Sequence, residues 1–195
     1  NSIIQLKNPV RLNVLKNEID TLHFKNSKIK TELALNKKVF EANGKYSLGN
    51  NNFQTFKLEG NKKLESSDID LKLDMQEEFK IDFINYKKNE KKLSDISINF
   101  VIKNNFFNIK KFKYREGENL ITFNDLKFVK NKFQTIKNFK VKTFSNNVLK
   151  NDFEISFEKK IKIIGRKYDG TNLNRLISQK TKNEDFKKIS KKIEI

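Results

Sequence analysis

Apolar and polar residues alternate along much of this chain with the period of a β-strand. In "IDLKLDM" the apolar residues Ile69, Leu71, Leu73 and Met75 fall on one side, with Asp70, Lys72 and Asp74 on the other. "FKIDF" repeats the pattern with Phe79, Ile81 and Phe83, and "ISINFVI" with Ile96, Ile98, Phe100 and Ile102. It recurs in Phe139 and Val141, in Phe153, Ile155 and Phe157, and in Ile161 and Ile163. Successive strand side chains point to opposite faces, so each segment carries one dry face and one wet face. Buried parallel strands would read as unbroken apolar runs, so the pattern predicts antiparallel strands.

Short polar breaks separate these segments: "NSK" near Asn26, "LGNNN" from Leu48 to Asn52, "KKNEKK" from Lys87 to Lys92, "REGEN" from Arg115 to Asn119 and "SNN" from Ser145 to Asn147. Gly and Asn at such breaks mark hairpin turns. The spacing predicts about ten to twelve strands, a number at which an open sheet curls or splits into two packed sheets. The expected fold is therefore all-β, a long antiparallel meander forming a curled, groove-like sheet, with a β-sandwich as the alternative. Helical spacing occurs only in "TNLNRLISQ", where Thr171 or Asn172 would be the N-cap and Leu173, Leu176 and Ile177 share a face. The chain thus divides into a β-groove segment over 1–170, a short helix near the C-terminus over 171–179, and a polar connector over 180–195. That connector ends in the strand-like "KKIEI", as if leading into the next strand of a longer protein.

Composition narrows the function. The 195 residues carry a formal net charge of +18, which ordinarily suggests a nucleic-acid or anionic-membrane partner. Of the 42 basic residues, however, only Arg11, Arg115, Arg166 and Arg175 are arginines, the residue that base readout and bidentate phosphate contacts favour. The lysines are dispersed and the aromatics lie mostly on the dry faces, so nucleic acid is not the expected partner. The absence of cysteine removes disulfides, thiolate metal sites and thiol nucleophiles. No window approaches the roughly 18 apolar residues needed to span a bilayer as a helix.

The stretch nearest to a chemical motif is "IIGRKYDGTNL". Gly165 and Gly170 have the spacing of a phosphate-binding loop, but Thr171 and Asn172 stand where Lys and Ser or Thr are required. The stretch reads instead as a structural corner. Ile161 and Ile163 end a strand, Gly165 releases the backbone from the pleat, and Gly170 with Thr171 turns it into the helix. Tyr168 folds onto the apolar face and Asp169 caps the turn through backbone amides. His23 is the sole histidine and has no partner for a zinc site. Asp68, Asp70 and Asp74 read as a solvated edge, with a weak cation site as the lesser reading. No catalytic constellation, metal site or cofactor is expected.

What remains is the dry face, with 18 Phe in the chain and no Trp. It is either the core of a sandwich or an apolar conduit for acyl chains, each buried methylene contributing about 0.8 kcal/mol.

Three passages carry a family resemblance. "KVFEANGKYSLGNNNF" (Lys38 to Phe53) resembles the strand pairs of AsmA-like proteins, and "LITFNDLKFVKNKFQTIKNFKVKTFSNN" (Leu120 to Asn147) is similar to their descending hairpins. "IKIIGRKYDGTNLNRLIS" (Ile161 to Ser178) resembles the strand, glycine, aromatic, aspartate and leucine-rich helix of the YhdP-type branch of this TamB-related superfamily. Tyr168 holds the aromatic position and Asp169 the aspartate, while Gly170 with Thr171 departs from the commoner residues after it. The resemblance implies a sheet folded lengthwise into a groove in the periplasm of a Gram-negative cell. It would be anchored to the inner membrane through a segment outside this sequence. It implies phospholipid as partner, moved between inner and outer membranes in maintenance of the outer-membrane barrier. It brings no catalytic residue. The candidate groove lining is the whole set of alternating apolar positions named above, from Ile69 to Ile163, with Gly165, Tyr168, Asp169 and Gly170 as the corner. The rival expectations are a structural β-rich envelope module with no ligand and, ranked below it, a basic nucleic-acid-binding protein.

Overall fold

In a computed structural model of the chain, residues 10–11, 21–34, 37–48, 52–90, 92–130 and 132–172 are described. The strands are β1 (Val10–Arg11), β2 (Thr21–Ala34), β3 (Lys37–Leu48), β4 (Gln54–Lys62) and β5 (Ser67–Met75), followed by a small hairpin of β6 (Phe79–Ile81) and β7 (Tyr86–Lys88). After them come β8 (Ser94–Lys103), β9 (Phe106–Glu116), β10 (Asn119–Val129), β11 (Lys132–Thr135), β12 (Asn138–Ser145), β13 (Val148–Phe157) and β14 (Ile161–Lys167). Twelve strands form one antiparallel sheet in the order β1-β2-β3-β4-β5-β8-β9-β10-β12-β13-β14, with β11 also on β10. The sheet is a meander and does not close on itself. Among the described residues the only helical turn is the 3-10 turn Asp82–Ile84. The expected helix over 171–179 lies outside the described residues from Leu173 onward, and Thr171 and Asn172 form a turn.

Alternation sets the register. Ile29 on β2 is in line with Ala42, Leu58, Leu71, Ile98, Phe112, Phe123, Phe139, Ile155 and Ile163, each the direct partner of the one before. One apolar row therefore crosses ten strands. A second row beside it runs Gly44, Phe56, Leu73, Ile96, Tyr114, Ile121, Val141, Phe153 and Gly165. The opposite face carries Asp68, Asp70, Lys72, Lys113, Lys140 and Glu154.

Bulges keep the rows in phase. On β9 the register shifts opposite Asn99 and Phe100, so that Lys110 and Lys111 both fall on the wet face before Ile109 and Phe107 return to the dry one. "NSK" is a second such bulge and not a turn. Asn26, at φ 51°, sits inside the continuous β2, and the shift between Lys25 and Lys28 moves the dry face from Phe24 to Ser27 and Ile29. "SNN" is a true hairpin, with Asn146 and Asn147 at φ 51° and 61°, as a tight primed turn demands.

The chain leaves the sheet between β5 and β8. Met75 and Ser94 are register partners, so the intervening residues form an excursion. This insertion, β6, the 3-10 turn and β7, folds back over the dry face of β8 to β13. Phe79, Ile81 and Phe83 are therefore not part of a sheet strand lining the groove, as the alternation predicts. They sit on the insertion and pack down onto the groove floor from above. There they surround a core of Ile84, Tyr86, Tyr114, Ile121, Val141 and Phe153. "KKNEKK" likewise is only partly a turn, because Lys87 and Lys88 belong to β7.

Candidate functional site

Among the described residues no such cover lies over the dry face of β2 to β5. It forms a trough of about 580 Å³ lined by Leu22, Phe24, Ile29, Phe40, Ala42, Leu48, Phe56, Leu58, Leu71, Leu73 and Met75, with Ser27 and Tyr46. Phe24 and Phe56 meet edge to face at 5.5 Å. Gly60 lies beneath the ring of Phe40, and a Cβ there would stand 2.0 Å from the ring's Cζ atom. Glycine thus lets an aromatic lie flat across the neighbouring strand, which smooths the floor. The polar side-chain atoms of the lining are two. The Tyr46 hydroxyl donates to the Asp74 carbonyl at 2.7 Å, and Ser27 Oγ has no partner among the described residues.

Past Met75 the floor continues under the insertion, through Ile96, Phe112, Tyr114 and Ile121 with Phe79 and Ile81 above. Beside it, outside the core cluster, the dry face carries an aromatic file. Phe100 meets Phe107 at 5.4 Å, Phe107 meets Phe128 at 6.1 Å and Phe128 meets Phe133 at 6.2 Å.

One margin of the dry face is polar, and the insertion is fastened to it. Asn151 is fully buried and donates to the Ile84 carbonyl and to Thr143 Oγ1, both at 2.8 Å. Tyr86 donates to the buried Glu116 carboxylate, which leaves the Tyr114 hydroxyl to donate to Tyr86 across 2.7 Å. Burial is the main cause that raises both phenols above their ordinary range, Tyr114 to about 12. Lys88 is fully buried as well. Its ammonium spends its three protons on the carbonyls of Gln76, Asn89 and Lys92, at 2.8, 2.9 and 2.6 Å. Burial pushes the Lys88 ammonium down, against the pull of Glu116, Glu77 and Glu90.

No protein-family model, curated protein or solved structure matches this chain.

Of the candidate lining positions, Leu71, Leu73 and Met75 lie in the open trough. Ile96, Phe139, Val141, Phe153 and Ile155 form the floor under the insertion. Ile69 is buried, Ile98 lies on the apolar row, and Phe100 and Ile102 continue the dry face toward the C-terminal end of β8. Phe157 ends β13 opposite Ile161, and both Ile161 and Ile163 sit on the edge strand β14, where Ile163 is 67% exposed and outside the packed region. Leu22, Phe24, Ile29, Phe40, Ala42, Tyr46, Leu48, Phe56 and Leu58 supply most of the trough and escape the sequence reading. The alternation of Phe56 and Leu58 in "TFKLEG" was the available signal.

The glycine-rich corner has a use beyond turning the chain. Gly165 does not release the backbone, because it sits within β14. It is needed for approach, since a Cβ would fall 2.4 Å from that of Phe153. Tyr168 places its ring edge-on to Phe153 at 5.5 Å and donates its hydroxyl to the Phe83 carbonyl at 2.8 Å. Asp169 accepts from the Thr171 amide at 3.3 Å and from the Thr171 hydroxyl, which holds its carboxyl below the usual range. Asn85 at the tip of the insertion donates to Asp169 and accepts from Asn172. The corner is a latch on the insertion.

The wet-face aspartates are engaged by the sheet itself. Lys110 pairs with Asp68 at 2.7 Å, Asn99 donates to both Asp68 and Asp70, and Thr55 donates to Asp74. Among the described residues no group of acidic, His or Cys side chains could hold a metal.

Proposed function

We propose that this chain is a segment of a periplasmic lipid-conduit protein of the AsmA-like, YhdP-type kind, whose trough carries phospholipid acyl chains between inner and outer membranes. The observation that supports this reading most is the apolar row from Ile29 to Ile163, which crosses ten strands without a polar side chain. Among the described residues the first third of the sheet is left uncovered, an arrangement that a sheet needing only a core does not call for. The open trough has the size of a small-molecule site and almost no polar lining. About ten methylenes buried there would contribute ~8 kcal/mol before the costs of association.

Native mass spectrometry of the protein purified from cells tests this. Phospholipid is expected to co-purify, and Leu58→Asp, on the open trough floor, is expected to abolish it with little change in thermal stability. Val141→Asp, in the fully buried floor, is expected to unfold the protein instead. Lipid-free protein whose melting transition ignores added phospholipid would overturn the reading.

A further inference from the structure

The apolar trough ends on charge. Lys38 and Lys62 are direct register partners on β3 and β4. Lys38 lies two positions before Phe40 and Lys62 two positions after Gly60, so both point to the dry side of the sheet. Their other cross-strand partners are Leu33 and Ser67, both uncharged. Among the described residues neither lysine has an ion-pair or hydrogen-bond partner, and both are exposed. Glu65, in the turn that follows β4, is taken by Lys103 at 2.8 Å. On the wet face Lys57 and Lys110 each have a carboxylate, while Lys72 and Lys113 have no ion pair among the described residues. Like charges directly opposite one another weaken an antiparallel pair. Such pairs also occur on the wet face, as Lys25 with Lys45 and Lys57 with Lys72. What sets Lys38 and Lys62 apart is their place on the dry side at the end of an apolar floor.

Beneath the two ammonium groups the floor turns apolar at once, with the Phe40 ring over Gly60 and then Leu58 and Leu71. Two cations at the rim of an apolar trough match an amphiphile with an anionic head and an apolar tail. We propose that Lys38 and Lys62 hold the phosphate of an anionic phospholipid whose chain enters the trough along Phe40, Leu58 and Leu71. This rests on the lipid reading and sharpens it. The site would favour lipids of net negative charge over zwitterionic ones, whose own ammonium the lysines repel.

The test is calorimetric titration of the whole chain with phosphatidylglycerol and with phosphatidylcholine of the same chain length in detergent. Salt is held at about 0.15 M, where charges farther apart than about 8 Å are screened. The wild type is expected to bind phosphatidylglycerol at least about tenfold more tightly, since each lysine near an anionic headgroup contributes about fivefold. The double variant Lys38→Gln, Lys62→Gln should lose that preference and keep its phosphatidylcholine affinity. Lys72→Gln with Lys113→Gln, on the wet face, should keep the preference. Retained preference in the first variant, or equal loss in the second, overturns the proposal. So does inorganic phosphate that binds on its own and displaces phosphatidylglycerol, which would make this a free-phosphate site. Equal binding of both lipids to the wild type removes the headgroup site and leaves the conduit standing, whereas binding of neither removes the conduit too.

Discussion

The side-chain amide of Asn151 donates to the carbonyl of Ile84, 2.8 Å away and 67 positions earlier in the chain. The same amide also holds Thr143, and its oxygen accepts from the Asp169 backbone at 2.8 Å. One buried residue on β13 thus ties both the insertion and the C-terminal corner to the sheet. The insertion is not a loose flap over the floor.

Asn151→Leu leaves the Ile84 carbonyl and the Asp169 amide without their partner in a buried site. A loss of about 3 kcal/mol is expected, which for a chain of this size lowers the melting temperature by about 6–12 °C. Calorimetry reads it. Hydrogen exchange should show the insertion's amides, residues 79–88, losing protection before those of β8 to β10. An unchanged melting point would deny Asn151 this role.

Gly60→Val puts a branched side chain where the Phe40 ring lies. The ring must leave the floor, and a cost of about 1–3 kcal/mol is expected from the crowding. Adding Phe40→Ala should recover part of that loss, a non-additivity that a denaturant-melt double-mutant cycle measures. Additive effects would mean that the two residues do not share the space.

Alkaline pH should unfold this protein through its tyrosines. Burial is the leading cause that raises the phenols of Tyr46, Tyr86 and Tyr114, Tyr114 to about 12 from an ordinary value of 10.0. The folded state therefore keeps protons that the unfolded chain gives up near pH 10. The associated stability is whole below pH 10 and is lost as pH climbs through 12, with Tyr46 and Tyr86 extending the loss further. Ultraviolet tyrosinate absorbance followed beside circular dichroism checks this. Of the four tyrosines Tyr168 is the most exposed, at 45%, and burial raises even its phenol, so at most a quarter of the signal should precede unfolding. A full rise near pH 10 in protein that remains folded would contradict it.

Because Met75 and Ser94 are already paired, the residues between them can be replaced by a tight Asp-Gly hairpin turn without parting β5 from β8. The shortened protein should keep its far-ultraviolet strand signal while uncovering Tyr114, Ile121, Val141 and Phe153. Increased binding of a hydrophobic dye, and more phospholipid per chain, are the expected readouts. Loss of the strand signal would show instead that the sheet depends on the insertion to fold.

The sheet was legible where nothing disturbs the two-residue period. From Ile69 to Met75 and from Ile96 to Ile102 every second residue is apolar, and those strands lie as their alternation demands. The trough was harder to see because its strands break the rule locally. In β2 the bulge at Asn26 flips the parity between Phe24 and Ile29, which makes one long strand read as two pieces and a turn. In β3 and β4 the dry positions include Ala42, Gly44 and Gly60, whose small side chains thin the signal.

The insertion was hidden for a different reason. "FKIDF" has the same alternation as a sheet strand, and what sends it elsewhere is the distant pairing of Met75 with Ser94. No local pattern carries that information. The latch was half visible. The corner's aromatic and aspartate stood out as punctuation, but their partners Phe83 and Asn85 lie 85 and 84 positions away. Glu116 and Asn119 lie within "REGEN", which reads as an ordinary polar turn, yet with Asn151 they are buried on the margin to which the insertion is tied.

The apolar row from Ile29 to Ile163 also has a length. Neighbouring strands stand about 4.8 Å apart, so nine steps make a path of about 43 Å. The hydrocarbon layer of a bilayer is about 30 Å thick. The row is thus longer than a membrane's oily interior is wide, yet only its stretch from Ile29 to Leu71 lies in the open trough, while Phe112, Phe139 and Ile155 are packed against the insertion's core.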